Sequence, residues 1–438
     1  MQVYFQTLGC RLNEAELESW ARQFRRQGDS VAADIEHADL VVVNTCAVTE
    51  EAVRKSRRLI RRAQRSNPQA KLVVSGCYAT LNPDESSALP GVDLLVENRH
   101  KEQLPQLVAQ EITLPVMPLI ATEPAENPLF RRGRQRAFIK VQDGCRYRCT
   151  YCIVTEARGE ERSRPITGII DEINDLHAQG VQEAVITGVH LGGYGSELGV
   201  DLSDLINAIL EQTTIPRLRL GSLEPWDIPG GFWKLFDNRR LMPHLHLPLQ
   251  SGTDSVLRRM ARRCKTADFE QLVTDAQRQV PGLNITTDVI VGFPGESDVE
   301  WQQTMSFLRR LQFSHMHIFA YSPRPGTKAA GLPSQVDNNT KRQRSKELHQ
   351  LMSEMKATSL KAALNQSVEV LVENRVTDED GDWYVGYTPN YLRIRFPVED
   401  NKFPMENRIV SLKVTAVDQE NGRLSGEMAA SSPKKQTR

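Results

Sequence analysis

The alternation of apolar and polar positions divides this chain into three stretches. In the first, short apolar runs alternate with longer amphipathic ones. VYFQTLGC (Val3–Cys10), DLVVVNTC (Asp39–Cys46) and KLVVSGC (Lys71–Cys77) read as strands, the second as a buried one. Asn13–Gln27 and Thr49–Ser66 lie between them with helical composition. The β-α-β-α-β order predicts a doubly wound parallel sheet with helices on its faces. A Pro-rich segment, Leu114–Pro128, reads as an irregular linker. A second series then offers strands at Phe138–Val141, Ala184–Thr187, Arg217–Leu220, Leu245–Leu249, Thr286–Val291 and His315–Phe319. Helical stretches separate them, so a partial (βα)6 barrel is expected, with its chemistry at the C-terminal strand ends. From about Ser367 the segments SVEVLVE, WYVGY, YLRIRF and IVSLKVTAV alternate between turns, as in a small all-β barrel or sandwich. The tail SSPKKQTR reads as disordered. The expected domains are 1–125, 130–362 and 365–430.

Composition narrows the class. Apolar residues are 39% and charged residues 25% of 438, with mean hydropathy −0.43, as in a soluble globular protein. No apolar run approaches the ~18 residues of a membrane span, and the N-terminus lacks the features of a secretory signal. The expected compartment is the cytoplasm, with no membrane partner. Lys+Arg 55 against Asp+Glu 55 excludes a whole-chain basic field, so nucleic-acid contact needs local patches.

Seven cysteines are too few for a disulfide scaffold in a chain this long. Three sit in VQDGCRYRCTYC, as Cys145, Cys149 and Cys152, directly after the first barrel strand. Three thiolates at this spacing suit one face of a four-iron cubane and leave one iron open for another ligand. A zinc knuckle is the alternative, but no fourth Cys or His stands near to close its tetrahedron. Cys10, Cys46 and Cys77 each end an apolar strand, in TLGC, VNTC and SGC. Parallel strands bring such ends to one sheet edge, so a second three-thiolate site is expected there, against the alternative of three buried structural cysteines. Gly9 and Gly76 would admit a cluster closely. Cys264, in RRMARRCKT, has no partner trio and is expected to be structural.

With both trios in view, the chain resembles the methylthiotransferases of the radical S-adenosylmethionine (SAM) superfamily. The resemblance runs through TLGCRLNEAE, VVVNTCAVT, VVSGCYA, VQDGCRYRCTYCIV, ITGVHLGGYG, GSLEP, LHLPLQSGTDSVLRRM, TDVIVGFPGE and HIFAYSPRPGT. It implies an N-terminal methylthiotransferase domain, a central radical SAM barrel and a C-terminal RNA-binding barrel of the TRAM type. It implies two 4Fe–4S clusters, one SAM as methyl donor and another as radical source, and insertion of sulfur into an unactivated C–H bond. TLGCRLNEAE and GVHLGGYG most resemble the branch acting on N6-threonylcarbamoyladenosine beside the tRNA anticodon, modified at C2 of the adenine. Isopentenyladenosine in tRNA and an aspartate of a ribosomal protein are the substrates of related branches. A non-catalytic iron–sulfur RNA-binding regulator is the alternative from another class. An electron donor such as flavodoxin or ferredoxin is implied, and the sulfur donor is left open. The chain departs from the family at Thr155 and Glu156, which stand where Pro and an aromatic are usual, and at Asp288 and Glu296 in DVIVGFPGE.

Further candidates follow from position. Tyr151, Gly188, Gly192, Gly193, Glu224, Gln250 and Ser251 are candidates for SAM contact, against ordinary turn and cap roles. His190 and His246 are possible proton carriers or satisfied core residues. Arg158, Arg162 and Arg164 after the cysteine loop, and Arg324 after the sixth strand, are candidates to pair with a substrate carboxylate. Arginines 54, 57, 58, 61, 62 and 65 stripe the second helix, and 258, 259, 262 and 263 form another patch; such runs are solvated faces or RNA contacts. Between Ser367 and Met428 twelve acids face seven bases, against simple electrostatic RNA binding. Tyr391, Arg393 and Arg395 nevertheless fall on one strand face, as a stacking platform flanked by cations.

Overall fold

The computed structural model describes residues 1–112, 135–398 and 404–429. The expected linker Leu114–Pro128 and the tail from Ser431 lie outside these residues.

The first stretch forms a five-stranded sheet in the order β2-β1-β3-β4-β5, every pair parallel. Its strands are β1 (Gln2–Thr7), β2 (Ser30–Val31), β3 (Leu40–Thr45), β4 (Lys71–Gly76) and β5 (Val92–Val96). All six residues of β3 are buried because both faces are covered. Leu17, Trp20 and Phe24 of α1 (Arg11–Arg26) pack on Val3, Phe5 and Val42. Val53, Ile60 and Ala63 of α2 (Glu50–Ser66) pack on Val41, Val43 and Val74 from the other side. Thr49 caps α2, its hydroxyl accepting from the Ala52 amide at 3.1 Å.

The central stretch begins at β6 (Arg136–Lys140), followed by a short antiparallel pair, β7 (Gln142–Asp143) and β8 (Arg162–Ser163). Then come β9 (Glu183–Thr187), β10 (Arg217–Leu220), β11 (His244–His246), β12 (Asn284–Val291) and β13 (His315–Ala320). They form two three-stranded parallel sheets, β10-β9-β6 and β11-β12-β13. Bridges Leu218↔Leu241 and Ser222↔His246 join these into an open barrel. Strand β11 stops earlier than the apolar run Leu245–Leu249 implies, because Pro248 has no amide to offer the ladder. Alternation sends Ile139, Ile186, Leu218, Leu245 and Val289 outward into the helix-covered core. It turns Arg136, Lys140, Glu183, Arg219, His246 and Asp288 toward the lumen. Cys264 is buried in the same core, its thiol 3.4 Å from the Lys265 carbonyl.

The helix Asn338–Ala362 returns the chain to the N-terminal ends of the barrel strands. There β14 (Ser367–Asp378), β15 (Gly381–Tyr387), β16 (Arg393–Pro397), β17 (Ile409–Asp418) and β18 (Arg423–Met428) close a small barrel in the order β14-β15-β16-β18-β17. It docks on the floor of the central barrel. Arg217 donates to the carbonyls of Tyr387 and Glu369 at 3.1 and 3.0 Å, Arg219 to that of Pro389 at 3.0 Å, and Asn284 to that of Asn390 at 2.7 Å.

Tyr391 takes part in this docking. Its backbone is left-handed, φ 68°, and it precedes β16 rather than lying on it. Its ring stacks on Tyr387 at 4.7 Å and lies under the guanidinium groups of Arg219 and Arg136 at 4.6 and 5.2 Å. The expected shared face with Arg393 and Arg395 is therefore broken. Arg395 pairs with Asp378 and Asp380 at 3.1 and 3.2 Å and lies over Trp383, leaving Arg393 exposed.

Candidate functional site

Two groups of three thiols lie at the C-terminal strand ends. The first occupies the loop between β7 and the helix Val154–Arg158. Gly144 opens that loop with φ 76°, and a Cβ there would sit 1.9 Å from the Glu160 carbonyl oxygen. The backbone closes on itself as the Cys145 amide donates to Gly159 at 3.1 Å and that of Cys152 to Cys149 at 3.0 Å. Thr150 pins the loop to the barrel rim, its hydroxyl donating to the Arg259 carbonyl at 2.8 Å. Cys145, Cys149 and Cys152 are all half-buried. Burial, with the charge of neighbouring thiols, pushes Cys145 up to about 11 and Cys152 to about 12. Such thiols hold their protons until a metal displaces them.

Arg262 is the cation built into this group. It pairs with Glu224 at 3.0 Å, covers the Trp226 ring at 4.3 Å and lies beside Cys149 and Tyr151. The Glu224 carboxylate is thus already held. Tyr151 packs against the small apolar cluster of Met260, Ile290, Phe293 and Tyr321. Gln250 has a left-handed backbone, φ 80°, and its amide donates to Asp288 at 2.8 Å. Ser251 faces the hydroxyls of Thr253 and Thr304, each at 3.5 Å. Gly188, Gly192 and Gly193 admit protein groups: a Cβ on each would meet Gln142 at 2.9 Å, Asp227 at 2.7 Å and His190 at 2.5 Å. His190 is clamped between Glu161 at 2.5 Å and Asp227 at 2.7 Å. Burial alone would lower its pKa, but the hydrogen bonds the ring makes to the Asp227 and Glu161 carboxylates outweigh it and raise it. Thr155 donates to the Tyr147 carbonyl at 2.8 Å, and Glu156 turns outward to Arg148 at 3.4 Å. Glu296 accepts from the Gly292 amide at 2.8 Å and pairs with Arg344 at 2.9 Å.

The second group stands at the edge of the N-terminal sheet. Cys10 directly precedes α1, Cys46 directly follows β3, and Cys77 opens the short helix α3 (Cys77–Leu81) after β4. Gly9, φ 122°, lets them approach: a Cβ there would lie 2.9 Å from Cys46 Cβ and 3.0 Å from its sulfur. Asn13 Oδ1 accepts from the Cys10 thiol at 3.9 Å, and Asn98 Nδ2 donates to Cys77 Sγ at 3.7 Å. Burial pushes Cys46 up to about 11. The donor set, three neighbouring soft sulfurs of which two have side-chain amide partners, fits a thiolate-held cluster.

Arg158 joins the two groups. It belongs to the helix after Cys152, and its guanidinium donates to Glu16 at 2.8 Å, Asp143 at 3.0 Å and Asn13 at 2.9 Å. Lys101 and Lys140 complete a buried cluster around Glu16 and Asp143. Asn98 also donates to the Ala157 carbonyl at 2.6 Å. Three of the five Arg158 donors are thus committed inside the protein, and the side chain is buried between Glu16 and Asp143. Arg164 is held by Glu172 and the Lys140 carbonyl, both at 2.7 Å, and Arg162 by the carbonyls of Glu160 and Arg158, both at 3.3 Å. Arg324 differs. It is only 8% exposed, its Nε has no hydrogen-bond partner, and it lies within electrostatic reach of Cys46 and Glu50. Asn13, Asn98 and Lys101 were not singled out by the sequence; Asn13 lies in TLGCRLNEAE, but nothing local marks the other two.

An open parallel barrel with a C-x3-C-x2-C loop after its first strand is the arrangement of a radical SAM protein. Residues 139–308 match the radical SAM superfamily profile, and residues 2–97 match uncharacterized protein family UPF0004. The chain is 35% identical to the threonylcarbamoyladenosine tRNA methylthiotransferase of Bacillus subtilis strain 168, over 94% of this chain and 93% of that protein. It is 36% identical to the protein of that name from Thermotoga maritima, over 90% and 91%. To a tRNA-2-methylthio-N(6)-dimethylallyladenosine synthase of Moorella thermoacetica it is 33% identical, over 96% and 97%. A solved radical SAM methyltransferase from Kitasatospora setae shares the fold at TM-score 0.57 and 16% identity, covering 75% of both chains. This chain belongs to the family of radical SAM methylthiotransferases; it is an enzyme of that class, which works with a 4Fe–4S cluster and SAM. Among the described residues no helix is long and apolar enough to cross a membrane.

Proposed function

We propose that this enzyme methylthiolates C2 of N6-threonylcarbamoyladenosine beside the anticodon of tRNA, in the cytoplasm, using one SAM as methyl donor and a second as radical source. The observation that carries the reading is the pair of three-thiol groups locked together through Arg158. Three ligands at each site leave one iron open at each, and SAM accounts for only one of them. Cys145, Cys149 and Cys152 would hold the radical-generating cluster, and Cys10, Cys46 and Cys77 a second, sulfur-supplying one. Bound there, the two clusters supply the one-electron cleavage of SAM and the sulfur.

The chain's own residues do the rest. Gly144 lets the first cysteine loop close on itself, and Gly9 lets Cys46 approach the backbone beside Cys10. Arg262 and Arg158 offset the negative charge of the thiolates in a site where water screens little. Tyr151 and the apolar cluster behind it form a flat wall beside the first group. Arg324, alone among the four candidate arginines for the carboxylate in having a buried nitrogen without a hydrogen-bond partner, is assigned to the threonyl carboxylate. Electrons would come from a donor such as flavodoxin or ferredoxin.

The test is mass spectrometry of tRNA nucleosides from cells with and without the gene. Loss of the 2-methylthio form of threonylcarbamoyladenosine is expected. Loss of the 2-methylthio isopentenyl nucleoside instead would move the substrate to the related branch. Unchanged nucleosides with an altered ribosomal protein would move it to an aspartate. Failure of the reduced, cluster-loaded protein to form 5′-deoxyadenosine from SAM would overturn catalysis altogether.

A further inference from the structure

We infer that the arginine face of α2 is the surface along which the RNA backbone lies, an inference that rests on the tRNA reading above. Helix α2 starts at Glu50, a few residues after Cys46, so its first turn stands at the edge where the second thiol group lies. It then runs back along the flank of the sheet for about 25 Å. Val53, Ser56, Ile60 and Ala63 are buried against the sheet. Arg54, Arg58, Arg61 and Arg65 follow one another at helical spacing on the opposite side, with Arg62 beside Arg58, and all five are exposed.

Their environment separates them from an ordinary solvated face. The acids of α2 are confined to its first turn, where Glu51 is taken by Lys55 at 2.8 Å. Arg57, between the stripe and the core, is taken by Glu85 at 2.6 Å. None of the five exposed arginines has a carboxylate partner among the described residues. Arginines three and four apart on a helix repel, each pair opposing helix formation by a few tenths of a kcal/mol. A stripe that keeps such repulsion, in a chain whose net charge is zero, suits a polyanion that removes it.

The rival surface fares worse. The C-terminal barrel carries the acidic excess, docks at the opposite end of the central strands, and commits Tyr391 and Arg395 to internal contacts. The other basic patch is half spent: Arg259 pairs with Glu300 at 2.9 Å and Arg262 with Glu224, which leaves Arg258 and Arg263 exposed, two cations against the five on α2.

The experiment measures tRNA affinity of the cluster-loaded enzyme at several salt concentrations. The variants are Arg58→Gln/Arg61→Gln/Arg62→Gln and the charge-keeping Arg58→Lys/Arg61→Lys/Arg62→Lys. The Gln triple should bind tRNA ten- to a hundred-fold more weakly near physiological salt. Its salt slope should fall by about two to three, near 0.9 for each lost duplex phosphate contact. SAM cleavage without RNA should be unchanged, and the Lys triple should stay within a few-fold of wild type. An unchanged affinity and slope in the Gln triple would overturn the inference, as would equal weakening in the Lys triple. If the wild type itself neither binds nor modifies tRNA, the functional reading falls instead.

Discussion

Arg158 Nη2 lies 2.9 Å from Asn13 Oδ1, and the same oxygen accepts from the Cys10 thiol at 3.9 Å. A side chain six residues beyond Cys152 thus reaches the neighbourhood of the other thiol group. The two sites are not on independently moving bodies but share one buried ion cluster. Burial alone would lower the Arg158 pKa, and the facing carboxylates and thiols raise it well above its ordinary value.

Replacing Arg158 by Gln leaves Glu16 and Asp143 short of a cation in a buried site. Removing one partner of a buried pair costs about 3–5 kcal/mol. Urea unfolding of the purified protein should show a loss of that order. A loss below about 1 kcal/mol would mean that Lys101 and Lys140 suffice and that Arg158 does not join the domains.

Gly9→Ala places a methyl group against Cys46 at a backbone angle that favours glycine. Iron per chain should fall from about eight to about four, as the Cys10/Cys46/Cys77→Ala triple would do. SAM cleavage to 5′-deoxyadenosine should persist in both. Replacing Cys145, Cys149 and Cys152 should also leave about four irons but abolish that cleavage. Two full clusters in the Cys10/Cys46/Cys77 triple would remove the second site.

Arg324→Ala removes the cation assigned to the threonyl carboxylate. Losing one charge-assisted hydrogen bond costs about 1.5–3 kcal/mol, roughly ten- to a hundred-fold in selectivity. Competition between threonylcarbamoylated and isopentenylated tRNA reads this directly. Undiminished preference in the variant would free Arg324 from the role without touching the chemistry.

Glu183, fully buried on the barrel floor, pairs with Arg136 at 2.7 Å and Arg219 at 2.8 Å. Burial alone would raise its pKa, but the arginines outweigh it and hold the carboxyl far below its ordinary 4.5. A depressed carboxylate stabilises the fold above its unfolded pKa, and that contribution is lost as pH falls below it. Glu183→Gln should therefore destabilise at pH 7. The difference from wild type should narrow below about pH 4 in urea titrations. A difference constant down to pH 3 would place the acid sensitivity elsewhere.

What the sequence made legible follows from period and position. Six barrel strands and three of the five sheet strands announce themselves through short apolar or alternating runs, and each cysteine of the second group is marked by the strand it ends; β2, only two residues long, and β5 are not read from the sequence. Partners distant in sequence leave no local trace. Arg158 reads as a free cation after a cluster loop, and only packing brings Glu16 to it across 142 positions. Tyr391 reads as a strand residue because YLRIRF alternates, whereas its left-handed backbone and the arginines beneath it depend on a domain contact. Arg262 and Glu224, singled out separately as part of a basic patch and as a candidate SAM contact, are partners only because two barrel loops converge.

The docking of the C-terminal barrel on the floor makes the molecule a ruler. That domain is held by hydrogen bonds at the starts of the central strands, while both thiol groups stand at strand ends. The eight residues of β12 span about 26 Å between the two levels. On the tRNA reading proposed above, a short oligonucleotide bound at the thiol groups would not touch the last seventy or so residues. On that reading, a folded RNA would have to bridge both levels before those residues could contribute to its binding. The length of the RNA would then decide whether the C-terminal barrel is felt at all.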